Sequence, residues 1–561
     1  MMSQRGFILF FFLIMIFAGF VRFYRLGQIP AGTYWDETAM LMDARSLIDT
    51  GRDVHGNYWL QAIYPSYGDY KLPVYLWLVT LSVSVFGPTA LAVRMPSALA
   101  GILTVLIVGL IAGEVLKLKK SDVSTNEKRI VQLLGMFVSA VSFWSIHFSR
   151  VGFEAHLGQL WLGLSFYLIL IARRRAGNLI LTGLFGVLGL FTYFSTRFVW
   201  PVVLVAGVWL IVSKQSLKQG KMTIFTLFSL LIFGAGLLVM RSSPLYSASQ
   251  QFRLSAPSVL DQSQAVNQAN LYRSLSSSSI IDRLFFHHYT ISLKQLLQNY
   301  SENLSLDFMF LSGDPNLRHG TGIVGLFPLA FLPLLFIGLI SLVFTPQYKF
   351  GLVLVIWWLA ALLPASVALE VPHALRSLNA LIPLSLIITY GLFQLIMLKY
   401  RFKRIVLTVL ILTWLFQFIQ FWNFTTHVYP QVSATAWQAG FSELAEVINT
   451  RRNQFDHVFV ELVDQRYFLW VLANSQLSLA ELPLNSSVNN YHFSQIGNVY
   501  FNTFSGVPTE YQNTVNLFVI DGSSLSEFRS TLGDSIEKVE MIEDGVGNVQ
   551  FVLITQSNAK D

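Results

Sequence analysis

The chain has no cysteine. That excludes disulfides, thiolate nucleophiles and cysteine metal sites. It is also poor in charge: Asp, Glu, Lys and Arg make up 12% of its 561 residues, against roughly 25% in soluble globular domains. No soluble segment carries a basic stripe interleaved with aromatics, so the formal net charge of +7 reads as a topology signal and not as a nucleic-acid footprint. Internal repeats are not evident, and the inverted-repeat signature of many secondary transporters is missing with them. The first apolar run, 7–21, has no small-residue cleavage site after it. It reads as an uncleaved first helix with the N-terminus inside.

What is abundant is apolar sequence. Hydrophobic residues make up 53% of the chain, and they come in runs near twenty long, the length needed to cross about 30 Å of hydrocarbon. The chain reads as a polytopic α-helical membrane protein. The run 73–87 is short, about 15 residues or roughly 22 Å as a helix. If it lies along the interface, the basic cluster Lys117, Lys119, Lys120, Lys128 and Arg129 falls inside, as the positive-inside bias prefers. From there the clusters alternate: Arg173 to Arg175, then Lys214, Lys218 and Lys221, then Lys399, Arg401, Lys403 and Arg404. The result is about eleven transmembrane helices: 7–21, 97–116, 130–148, 157–172, 179–195, 198–212, 222–240, 322–344, 352–369, 375–398 and 405–422.

On this topology residues 1–422 form a transmembrane domain with long external loops at 22–72 and 241–321, the latter Ser- and Gln-rich early, as at 274–279. Residues 423–561 change character. Apolar density falls, and helix-like stretches alternate with short strands, as at 456–462 and 516–521, with a hairpin pattern around 545–548. This tail reads as a small extracytoplasmic α/β domain.

The same topology places Asp36, Glu37, Asp69, Lys71, Glu154, His156, Arg197, His319, Glu370, His373 and Arg376 on the external side. Each alone has a plain structural reading. Asp36 and Glu37 can be a solvated pair beyond a helix end, Lys71 and the arginines (Arg94 among them) can snorkel, and Glu154 and His156 can cap a turn. Their convergence on one face fits a single chemistry. Moving a sugar from a lipid phosphate to a hydroxyl needs a carboxylate to take the hydroxyl proton. It also needs cations to hold the phosphate as negative charge leaves with it. Two adjacent carboxylates at the mouth of a membrane helix are costly to desolvate and tend to be kept for chemistry or ion binding.

The chain resembles the GT-C superfamily of polyprenyl-phosphate-dependent glycosyltransferases, in particular the branch with protein O-mannosyltransferases and lipid A aminoarabinose transferases. Four stretches carry the resemblance: Asp36-Glu37 after the first helix; Lys71-Leu72-Pro73-Val74-Tyr75-Leu76-Trp77-Leu78; Arg94-Met95-Pro96-Ser97-Ala98-Leu99; and Ser149-Arg150 followed by Glu154. The departures are Tyr70 in place of a glutamate, Leu72 in place of a proline, and Glu154 where Asp is more usual. The resemblance implies Asp36 as catalytic base with Glu37 beside it, and Lys71 at the donor phosphate, with Arg197 and Arg376 as further phosphate ligands. Asp69, Glu154, His156, His319 and His373 are the candidates to support the site or hold a divalent metal ion, the one cofactor considered. The implied partners are a polyprenyl-phosphate sugar donor, the lipid bilayer and a glycan, lipid or protein acceptor. The implied location is the cell membrane with the site outside. A transporter or flippase for a lipid-linked glycan is the alternative.

Overall fold

The computed structural model describes all residues except 1–2, 67–68, 120–122, 213–215, 256–261, 277–278, 345–347, 462–469, 471–494, 503–513, 527, 529–535, 545 and 557–561. Lys120 and Lys214 of the basic clusters, part of the serine run 274–279, and Gly545 of the expected hairpin turn lie outside the described residues. The chain divides into two compact units, Met1–Tyr24 with Ser97–Trp422, and Arg25–Pro96 with Asn423–Asp561.

All eleven runs expected to span contain helix. Seven helices among the described residues are long and apolar enough to cross a membrane: Gln4–Phe23, Ala90–Leu116, Ala155–Ala172, Gly220–Arg241, Tyr348–Ser366, Ala374–Met397 and Lys403–Val432. The first has 20 residues and so rises about 30 Å, the thickness of the hydrocarbon layer. Asn178–Leu190, Thr196–Ile211 and Leu329–Val343 are apolar but shorter. The run 130–148 differs from the expectation of one helix. It forms two, Thr125–Ala140 and Phe143–Phe148, because Ser142 turns extended and its Oγ accepts from Ser145 N as the cap of the second. Trp144 N then donates to Leu326 O at 2.9 Å.

Within this first unit, helices Leu332–Val343 and Leu381–Met397 touch backbone to backbone. A Cβ on Gly338 or on Gly391 would overlap the facing carbonyl of Ile387 or Leu334, the small-residue contact by which membrane helices approach closely. Arg22, at the end of the first helix, is fully buried. It donates to Ser145 Oγ at 2.8 Å, Ser149 Oγ at 3.1 Å and Ala18 O at 3.2 Å.

The second unit joins the loop after the first helix to the tail. Its loop part begins with helix Trp35–Thr50, ended by Gly51 at φ 72°. Two short antiparallel strands follow, β1 (Tyr64–Ser66) and β2 (Asp69–Lys71). Helix Pro73–Phe86 comes next, 14 residues that start on Pro73 and stop at Gly87. That is roughly 21 Å, the short element expected there. The tail contributes β3 (His457–Glu461), β4 (Gln495–Ile496), β5 (Val499–Asn502), β6 (Asn516–Asp521), β7 (Ile536–Glu543) and β8 (Val549–Gln556), in the sheet order β4-β5-β3-β6-β8-β7. β3 runs parallel to both β5 and β6, and β7 and β8 form the expected hairpin.

Strand alternation sends Val458, Val460, Leu517 and Val519 to one face of this sheet and Phe459, Phe518 and Ile520 to the other. On the first face they pack with Leu444, Ala445 and Ile448 of helix Ala439–Arg451, and with Met42 and Val54 of the first loop. Three further contacts tie the loop to the tail. Trp470 Nε1 donates to Thr33 O at 3.0 Å, and Trp35 N donates to Gln438 Oε1 at 2.9 Å. Gly32, at φ 73°, passes so close to the Ala439 backbone that no Cβ fits.

The same loop buries two carboxyl groups. Asp43 Oδ1 accepts from Val54 N at 3.3 Å, and Asp53 accepts from His55 N, Asn57 N and Asn57 Nδ2 at 2.7–3.0 Å. Burial, and then the charge of Asp53, hold the Asp43 carboxyl well above the usual carboxylate range. Burial raises Asp53 as well, against the pull of its hydrogen bonds. A carboxyl raised on folding keeps a proton that the unfolded chain releases near about pH 4. Its stability contribution is therefore present below that pH and lost as pH rises through the folded value. Asp43→Asn is expected to raise the melting temperature of the detergent-solubilised full chain at neutral pH and to flatten its decline above about pH 4. An unchanged melting profile across that pH range would show that Asp43 holds no proton in the fold.

Candidate active site and a histidine cluster

Asp36 and Glu37 sit in the first turn of helix Trp35–Thr50. Neighbouring helical residues point about 100° apart, so the two carboxylates meet different partners. Glu37 turns inward, fully buried, and takes a two-pronged ion pair from Arg94: Nε to Oε1 at 2.9 Å and Nη2 to Oε2 at 2.8 Å. The other Arg94 N–H groups donate to Leu26 O at 3.2 Å, Pro30 O at 3.0 Å and Gly32 O at 2.6 Å. All five donors of the guanidinium thereby have acceptors. The charge is also 5.7 Å from the ring of Trp437.

Asp36 turns the other way. Its Oδ1 lies 2.8 Å from Lys71 Nζ, which is also 3.0 Å from Asp69 Oδ2. Asp69 and Lys71 share one side of β2, two residues apart, so the strand presents an anion and a cation together. The Lys71 side chain is 9% exposed, against 26% for Asp36 and 34% for Asp69. The ammonium is thus sunk between two carboxylates that reach solvent. Asp36 also stands at a helix N-terminus, where the peptide dipoles favour a negative charge. The set is a carboxyl group with a cation in contact.

The other expected site residues lie in the first unit. Arg197 opens helix Thr196–Ile211; its Nε donates to Leu190 O at 3.4 Å, and its guanidinium lies over the Phe194 ring. Glu154 precedes helix Ala155–Ala172 without capping it through its side chain. His156 is fully buried, with Nδ1 3.3 Å from Ser149 Oγ. It belongs to the Arg22 network and not with the other histidines. Arg376 is half-buried on the short helix Ala374–Ser377.

His319 and His373 do come together. Their rings stack with centroids 4.6 Å apart. Asp314 joins them, with Oδ2 3.3 Å from His319 Nδ1. Asp314 is fixed by two backbone donors, Asn316 N to Oδ1 and Ala374 N to Oδ2, both at 2.8 Å. His373 N donates to Asn303 Oδ1 at 3.0 Å. Burial, and then the nearby His319, Arg376 and Arg318, hold the His373 imidazole well below its ordinary range. It is therefore neutral, with a lone pair. Sequence reading passed over Asp314 as a site residue. The signal that could have found it is the Asp-Pro-Asn turn five residues before His319.

Neither the models of known protein families nor the sequences of characterised proteins match this chain. Solved structures do. ArnT from Cupriavidus metallidurans in the apo state is 11% identical, with 98% of this chain and 98% of that one covered at a TM-score of 0.56. This chain has the ArnT fold. The same ArnT bound to undecaprenyl phosphate is 12% identical, with 99% and 98% covered at a TM-score of 0.53. The many-helix architecture expected from the sequence is thus the observed one, with an α/β sheet domain at its C-terminal end as in the expectation. At this identity the likeness to ArnT is one of fold.

The Glu37–Arg94 pair makes a stability prediction. Removing one partner of a buried ion pair strands the other and costs about 3–5 kcal/mol. Arg94→Leu is expected to destabilise the full chain by that order. Arg94→Lys is expected to recover little, since an ammonium cannot reproduce the planar fork. The double variant Glu37→Met/Arg94→Leu should recover much of the loss. Denaturant unfolding in detergent decides it: a double-variant loss equal to the sum of the two single-variant losses would mean that the pair is not coupled.

Proposed function

We propose that the protein is a membrane glycosyltransferase that moves a sugar from a polyprenyl-phosphate donor to a hydroxyl acceptor, at the outer face of the membrane and with inversion at the anomeric carbon. The observation that carries this reading is the contact of Asp36 with Lys71, a base and a phosphate-binding cation in one place. The ArnT fold adds support, since that protein has been solved with undecaprenyl phosphate bound.

The chemistry follows from the contact. In the absence of donor, Lys71 holds Asp36 in an ion pair. The donor phosphodiester presents a negative charge that competes with Asp36 for the ammonium, and that charge grows as the sugar leaves. Asp36 is then freed in the same event that seats the donor. Its carboxylate takes the acceptor hydroxyl proton as that oxygen bonds to the anomeric carbon. The bond from that carbon to the phosphate oxygen breaks, and polyprenyl phosphate leaves with the electron pair. No general acid is needed for such a leaving group. One base and one displacement give inversion, with no covalent sugar–enzyme intermediate.

Asp36→Asn keeps the shape and removes the base. Transfer from a polyprenyl-phosphate sugar is expected to fall by about 10² to 10⁴, with donor binding retained. Lys71→Met is expected instead to weaken donor binding, by about 1.5–3 kcal/mol for a charged hydrogen bond. A transfer assay on both variants, with the product configuration read by NMR, is the test. Near-normal transfer by Asp36→Asn would remove it as the base, and a retained configuration would reject the single displacement. Donor that crosses vesicles but is never consumed would mark a flippase.

The placement at the outer face rests on the Lys and Arg clusters. A reporter fused after Asp561 is expected to read external in whole cells. A cytoplasmic signal would put the tail and the Asp36 loop on the inner side.

A further inference from the structure

We infer that Asp314, His319 and His373 form a binding site for a first-row transition metal ion of the zinc class. One ligand atom from each of the three comes within 4.8 Å of the others. Around a tetrahedral zinc with bonds of about 2.0–2.1 Å, neighbouring ligand atoms sit roughly 3.3–3.5 Å apart. Modest side-chain closure therefore completes the set. Two imidazoles with one carboxylate suit zinc, iron, cobalt or manganese, and leave the all-oxygen preference of magnesium and calcium unmet.

Two observations beyond this proximity point to an ion. His373 is 93% buried by its 7% exposure, yet its Nδ1 has no hydrogen-bond partner. A buried polar atom without a partner is costly, and a metal would satisfy it. Asp314 is also held as a ligand should be. Each of its oxygens accepts a backbone N–H, from Asn316 and from Ala374, so the carboxylate is oriented before any ion arrives. The Ala374 bond has a further effect. Ala374 follows His373 directly, so Asp314 and His373 are fastened to each other through the chain as well as through the site.

Three protein ligands leave a fourth position for water or an anion. The nearby Arg318 and Arg376 oppose the cation by like charge, the Asp314 carboxylate offsets part of this, and the same arginines favour an anion at the fourth position. The ion would clip the stretch 313–322 to the stretch 367–376, which carry Arg318 and Arg376.

Metal binding is read directly and stands or falls apart from glycosyl transfer. The full chain, purified in detergent without a polyhistidine tag and stripped with EDTA, is titrated with Zn²⁺ and with Co²⁺. The wild type should take up about one ion per chain, as three-ligand sites do, show visible ligand-field bands with Co²⁺, and melt at higher temperature with Zn²⁺ than with EDTA. Mg²⁺ should not compete. His319→Ala/His373→Ala should lose the tight uptake and the cobalt bands, and Asp314→Asn, which removes a ligand's charge, should weaken uptake by more than the roughly 10- to 100-fold typical of losing only a ligand's hydrogen-bond partner. Absence of saturable uptake by the wild type overturns the site, and so does uptake that survives in the double variant. Should the variants fail to fold, an unchanged wild-type melting temperature between Zn²⁺ and EDTA is equally decisive against it.

Discussion

The geometry of the acidic pair depends on one interaction, the buried contact between Glu37 and Arg94. The guanidinium takes both oxygens of Glu37 and three backbone carbonyls from the chain between the first helix and Trp35. A charge removed from water is costly, and only a full complement of acceptors offsets that cost. Here the complement is met, so helix Trp35–Thr50 starts at a fixed place with a fixed roll. Asp36 must then face away from Arg94, toward β2. The outward aim of Asp36 is here the consequence of a neighbour that cannot turn.

Much of this was legible in the sequence. The apolar runs, the short element at 73–86 and the terminal hairpin follow from length, periodicity and turn residues, which act locally. Asp36, Glu37 and Lys71 stood out because charge is scarce in this chain and because of the motifs around them. The partition of labour between Asp36 and Glu37 was only half legible. That neighbours diverge is helix geometry, but the partner of Glu37 lies 57 residues away, and Arg94 read alone as a snorkelling cation. Asp314 was missed for a related reason. Its turn is ordinary, and only the tertiary fold brings His373 beside it.

The two sets of polar groups are built on different principles. Around Asp36 the carboxylates reach solvent in part, the ammonium lies between them, and every charge has an opposite in contact. Such a cluster can exchange partners at low cost, because water and a ligand phosphate compete on near-equal terms. Around His373 the groups are buried or half-buried, Asp314 is tethered to backbone, and one nitrogen is unmatched. A cluster of that kind cannot trade partners freely. It suits a resident that arrives once and stays.

The first loop and the tail share one hydrophobic core, with Met42 and Val54 packed beside Ala445 and Ile448. Their sequence separation has a consequence for biogenesis. The loop bearing Asp36 leaves the ribosome early, while the helix and sheet that complete its core are made about 400 residues later. At ~5–20 residues per second the loop waits roughly 20–80 s for that helix, with apolar side chains uncovered, and roughly 25–100 s for the last strand, Val549–Gln556. The acidic pair is therefore among the first parts of the protein to be synthesised and among the last to be assembled, so a chain still being inserted carries the residues of the site without yet having the site itself.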